Sequence, residues 1–228
     1  MKFSLVAAAA GLVAGANAEV QDSAVWSGVV NAMVNTNYVS GTVVVPAINK
    51  TASHANESAT IWVGIDGSNC TNALLQTGFY LFGDGTYKAW YRWRPDYASD
   101  FETDLPIAAG NKIRMSVNAT NATSGYALIE NLTTKKQAKH AYKKDPAALC
   151  LSEAAWIVED QLLNGKQVPF LNYGNFTFTD VKVKSSKGNV DATGGDDEIL
   201  VTNDGKVKKS ACDNNGSTIF CKWFSKGY

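Results

Sequence analysis

Apolar and β-branched residues alternate with polar ones in short runs that recur roughly every 8 to 15 residues, with Gly, Asn and Asp filling the gaps. Period-two alternation puts successive side chains on opposite faces, so each run reads as a half-buried strand. Strands are predicted at 25–30, 38–45, 60–65, 73–82, 86–93, 112–118, 125–131, 154–159, 175–183, 198–201 and 218–224. No apolar repeat at helical spacing competes with them. Many short strands separated by turn residues point to an antiparallel sandwich or barrel. Two stretches lack the alternation and read as solvated loops: 185–197, rich in Gly and acidic residues, and the basic run Lys135–Lys144.

The N-terminus departs from this pattern. Lys2, an apolar stretch from Phe3 to Ala14 and the small residues Ala16-Asn17-Ala18 have the form of a signal peptide over residues 1–18. The apolar stretch falls short of the roughly 20 residues that span a bilayer, so a secreted protein without a membrane partner is expected. The remaining 210 residues, 19–228, suit one large all-β domain. Basic and acidic residues balance at 21 each, which supplies no field to attract nucleic acid.

Four cysteines in a secreted chain suggest two disulfides with three possible connectivities. Cys70–Cys150 with Cys212–Cys221 is favoured, the second pair bracketing an Asn215-Gly216 step that signals a hairpin. There is no Cys-x-x-Cys, and His54 and His140 have no ligand-like spacing, so no metal or other cofactor is expected. Asn-x-Ser/Thr sequons at Asn49, Asn56, Asn69, Asn118, Asn121, Asn131, Asn175 and Asn215 offer N-linked glycan sites.

The familiar catalytic nucleophiles are hard to place. Serine and cysteine peptidases need a positioned base, usually His, and His54 and His140 both lie in polar, turn-like surroundings. Neither Asp-Thr-Gly nor Asp-Ser-Gly occurs. Glu159 is the strongest acid/base candidate: on an alternating strand it shares a face with Ala155 and Ile157, opposite Trp156 and Val158.

Motifs along the chain then carry a resemblance. Trp26-Ser27-Gly28, Trp62-Val63-Gly64-Ile65-Asp66-Gly67, Leu74-Leu75-Gln76-Thr77-Gly78, the aromatic run Trp90–Tyr97 and Trp156-Ile157-Val158-Glu159-Asp160 together resemble the fungal glutamic peptidases, or eqolisins. The resemblance implies a lectin-like sandwich of two bent antiparallel sheets, a monomeric endopeptidase acting on protein or peptide substrates, and a catalytic dyad at Gln76 and Glu159. It implies that Trp62 and Asp66 lie beside the dyad and that Trp90 walls the substrate groove, while Trp26 is read as structural. Where the family usually has acidic or aromatic residues, this chain has Lys88, Arg92 and Arg94, which share strand parity with Trp90 and are expected to line or flank the groove. Only about seven residues separate Ala18 from Trp26, so the propeptide usual in the family is not expected. An ordinary glutamate titrates near 4.3, which suits an acidic medium. Two readings from other classes stay open: a carbohydrate-binding sandwich using the aromatic residues, and a glycosidase pairing Asp66 with Glu159.

Overall fold

A computed structural model describes residues 20–102, 105–163 and 166–227, leaving the signal segment outside the described residues. Within them every regular element is a strand, and no helix is long and apolar enough to cross a membrane. Each of the eleven predicted strands is present. The loop expectation for the basic run is corrected: Lys136–Tyr142 is a strand, paired antiparallel along its whole length with Ser124–Asn131 at the edge of the sheet. The acidic stretch is likewise not all loop, since Gly188–Val190 pairs with Asn175–Ser185 and Asp196 begins the strand Asp196–Val201.

The strands form one continuous path that doubles over into two layers. The turning point is the long strand Asn175–Ser185. Residues Asn175 to Phe178 pair with Ile219–Trp223, and from Thr179, across a bulge at which Asp180 takes φ 52°, the strand pairs with Tyr38–Val44. A bulge bends the strand that carries it, and here it hands the chain from one sheet to the other. Among the described strands all pairings are antiparallel except that of Val20–Ser23 with Asp196–Val201, and an isolated bridge from Ser58 to Phe170 is also parallel.

Between the layers lies the main core, with Ile61, Val63, Leu75, Phe79, Trp93, Trp156 and Val158 from one sheet facing Val39, Val43, Met115, Val117 and Ile129 from the other. Trp156 crosses this interface and donates its indole N–H to the Ser40 carbonyl at 2.9 Å. The two disulfides are the favoured pairs, Cys70–Cys150 and Cys212–Cys221. The second joins directly opposed residues of Lys208–Asn214 and Ile219–Trp223.

Candidate active site

Five strands of the larger sheet lie side by side in the order Trp26–Ala32, Glu153–Glu159, Ser58–Ile65, Leu74–Phe82 and Tyr87–Arg94. Because their inward residues fill the main core, the alternate residues are turned to the outer face. There Val30, Trp62, Leu74, Trp90, Ala155 and Ile157 form a second apolar cluster, joined by Trp26 and Tyr80. Trp26 meets Trp62 edge-on with centroids 5.2 Å apart, and Tyr80 stacks on Trp90 at 5.6 Å. The close approach of two strands under Trp62 requires Gly78, where a Cβ would fall 2.6 Å from Trp62 Cβ and 2.1 Å from the Ile61 carbonyl. The Trp90 indole is fixed in turn, donating to Thr60 Oγ1 at 2.8 Å while that hydroxyl donates to the Phe79 carbonyl.

Gln76 and Glu159 rise from this floor on either side of the Trp62 strand. Gln76 is opposite Gly64 and Glu159 opposite Thr60 on the intervening strand. Their backbones are two strand spacings apart across the sheet, about 10 Å, and are offset along it by the four residues from Thr60 to Gly64. Both line one groove of about 480 Å³, with Thr60, Tyr80, Trp90 and Arg92.

The electrostatics of the two differ. Trp62 Nε1 donates to Glu159 Oε2 at 2.7 Å and fixes that oxygen. Loss of solvent around the half-buried carboxyl pushes its pKa up to about 7, against the lowering effects of the Trp62 hydrogen bond, the Arg92 and Arg94 charges and, least, a hydrogen bond from Trp26. Gln76 is 3% exposed, and its Oε1 is buried without a partner in the protein. An acceptor left so costs about 1–3 kcal/mol.

The remaining candidates separate. Trp62, Trp90 and Arg92 are at the groove, with Arg92 Nε held by the Asp96 carbonyl at 2.6 Å. Arg94 is half-buried and outside the lining, acting on Glu159 through its charge. Lys88 lies apart too, exposed and paired with Asp100. Asp66 departs from the expectation. The strand ends at Ile65, and Asp66 takes φ 68°, so it does not continue the alternation that would set it beside Trp62. Its carboxylate instead accepts the backbone N–H groups of Leu151, Ser152 and Glu153 at 2.8–3.2 Å. That occupation removes the carboxylate pair a glycosidase reading requires.

Other residues were missed. Trp26, read as structural, touches both Trp62 and Glu159. Tyr97, 91% exposed, lines the groove from a loop, and Leu162, 54% exposed, from the two-residue strand Leu162–Leu163, both too short of alternation to indicate a direction. The Trp-Ser-Gly motif could have revealed Trp26; nothing in the sequence marks Leu162. His140 is on the edge strand, stacked on Tyr91 with centroids 3.9 Å apart, rather than in a loop. Asp66, Cys70 and Cys150 lie close together, but both sulfurs are spent in the disulfide.

A larger cavity, about 850 Å³, opens at the far end of Trp26–Ala32 between Tyr38, Lys182, Lys184 and Asp191. Its titratable lining residues are not buried, whereas the smaller groove holds Glu159 with its raised pKa.

Comparison with known proteins bears on that geometry. Residues 24–223 match the model of the peptidase A4 family. Scytalidopepsin B of Scytalidium lignicola is 36% identical over 206 residues, covering 87% of this chain and 77% of that protein. Aspergillopepsin-2 of Aspergillus niger is 43% identical over 136 residues, covering 58% and 48% respectively. A crystal structure of scytalido-glutamic peptidase with a peptide-based transition-state analogue superposes with a TM-score of 0.80 at 34% identity, covering 89% of this chain and 99% of that one. The chain belongs to the peptidase A4 family, the eqolisins.

Proposed function

We propose that this peptidase is a secreted endopeptidase in which Glu159 and Gln76 activate water for direct attack on a peptide bond. The observation that carries the reading is the pairing in one groove of a carboxylate oriented by Trp62 with an amide whose buried oxygen has no protein partner. Unsatisfied buried acceptors are rare in folded chains, and this one belongs to a side chain that lines the groove.

The roles follow from the donor inventory. Trp62 engages Glu159 Oε2, leaving the other oxygen to take a proton from water as it attacks the scissile carbonyl. The same carboxyl, now protonated, delivers its proton to the leaving amine. Gln76 orients the water through Oε1 and offers its amide hydrogens to the oxyanion of the tetrahedral intermediate. No covalent intermediate is needed. Tyr97, Leu162 and Val168 supply apolar walls for side chains on either side of the bond. Arg92 gives the groove a cation that favours acidic side chains near it.

The test is hydrolysis of casein or denatured haemoglobin with pepstatin present. Glu159→Gln should abolish turnover with the fold intact, and Gln76→Ala should lower kcat by about a hundredfold or more, as loss of an oxyanion donor does elsewhere. Wild-type turnover by a folded Glu159→Gln protein would end the proposal. N-terminal sequencing of protein from the medium checks secretion, with Glu19 expected first.

A further inference from the structure

The eight sequons are equivalent as tripeptides and unequal in the fold. A glycan is linked through Asn Nδ2 and takes one of its two hydrogens, so a folded glycoprotein must leave that nitrogen free and facing solvent. At Asn49 and Asn121 the side chain is exposed and Oδ1 is turned back onto its own sequon. Asn49 Oδ1 accepts Thr51 N at 3.2 Å and Thr51 Oγ1 at 2.7 Å. Asn121 Oδ1 accepts Thr123 N at 2.9 Å and Thr123 Oγ1 at 3.2 Å. In both Asx turns the amide oxygen is engaged while Nδ2 has no acceptor among the described residues. These bonds span two residues, so the turns can form in a short segment before the sheets do.

Asn131 is the opposite case. It is 0% exposed, and its Nδ2 donates to the Pro106 carbonyl and to Asn111 Oδ1, each at 2.8 Å. Its Oδ1 accepts Thr133 N and Thr134 N, both at 3.1 Å. A sugar there would take one of the two Nδ2 hydrogens, so at least one of these bonds would be lost, and the fully buried side chain gives the sugar no route to solvent.

We propose that Asn49 and Asn121 carry N-linked glycans and that Asn131 does not, the inference resting on the secretory reading above. The step transfers an oligosaccharide from a lipid-linked diphosphate donor. The bond from sugar C1 to phosphate oxygen breaks, a bond from C1 to Nδ2 forms, Nδ2 gives up one proton, and the lipid diphosphate leaves. Neither acceptor lines the catalytic groove, so the glycans leave access to peptides open.

The full chain, expressed with its own N-terminus in a filamentous fungus, is collected from the medium, deglycosylated by an amidase in heavy-oxygen water and mapped by mass spectrometry. Asn49 and Asn121 should be recovered as heavy-oxygen Asp, and Asn131 as unlabelled Asn. Asn49→Gln and Asn121→Gln should each lower the mass by one glycan and leave peptide kcat/KM unchanged. Label at Asn131, or its absence from Asn49 or Asn121 in secreted protein, overturns the assignment. Retention in the cell with residues 1–18 intact overturns the secretory reading and the glycans with it, whereas glycan loss from secreted protein leaves that reading standing.

Discussion

Glu159 is held between opposing influences, and their balance sets when it can act. Burial is the largest and raises its pKa to about 7, while the hydrogen bond from Trp62 and the charges of Arg92 and Arg94 pull it down. In the proposed mechanism attack on the peptide needs the ionised form, so kcat/KM of the free enzyme should fall toward tenfold per pH unit below about 7. The acidic range expected from an ordinary glutamate is therefore shifted upward by a desolvation that sequence does not reveal. Removing any lowering influence should shift it further: Arg92→Ala and Trp62→Phe should each move the acid limb to higher pH. Rate profiles of the three proteins check this, and a limb that stays put would disconnect it from Glu159. Arg92 also bears on substrate choice. Peptides with Asp or Glu near the scissile bond should be cleaved better than those with Lys or Arg, and Arg92→Glu with Arg94→Tyr should weaken the preference, as a cleavage-site profile would show. Lys88 is left out of that pair because Asp100 neutralises it.

The strand Ser58–Ile65 and the loop beyond it show what could be read in advance. Its alternation was legible, and with it the outward turn of Trp62; the end of that alternation at Asp66 was not, because a left-handed residue leaves no mark on hydrophobic pattern. Lys136–Tyr142 was missed for a related reason. An edge strand rich in Lys resists pairing with other chains and needs few inward residues, here mainly Ala138, so composition and fold diverge. The pairing of Gln76 with Glu159 in one groove was legible only through motifs; alternation alone gave Gln76 no more than an outward face. Beyond Asp66 two loops clasp each other. Asp66 accepts N–H groups from residues 151–153, Glu153 accepts those of Ser68, Asn69 and Cys70, and Cys70–Cys150 joins the same segments. Bridge and clasp restrain one geometry, so their losses should not add. Replacing Cys70 and Cys150 by Ser in wild type and in Asp66→Asn should give a coupling of about 1 kcal/mol or more by denaturant unfolding. Strict additivity would show that the two act separately.

Across the whole molecule the carboxyls set how stability depends on pH. Glu198 is buried on the strand beside Trp26–Ala32 and repelled by Asp196 and Glu153, and burial first of all pushes it up to about 7, like Glu159. A carboxyl whose folded pKa is raised holds its proton in the folded chain after the unfolded chain has lost it. Stability from both groups is therefore full below about 4.5, falls as pH rises to about 7, and changes little beyond. Unfolding at pH 4.5 and 7 should show the folded state losing on the order of a few kcal/mol across the window, and Glu198→Gln should flatten that slope. An unchanged slope would remove Glu198 from the account. Activity and stability thus run in opposite directions between pH 4.5 and 7.

The neighbours of Trp26–Ala32 are Glu153–Glu159 on one side and Asp196–Val201 on the other. A nascent chain emerging at about 5–20 residues per second leaves this strand short of its second partner for something like 10 to 30 seconds. The Gln76 half of the site can form early, as three consecutive strands of one meander. The Glu159 half cannot be seated until most of the chain has left the ribosome. A nascent chain still short of residue 159 lacks the carboxyl altogether, because the topology draws the two halves of the groove from positions 83 residues apart.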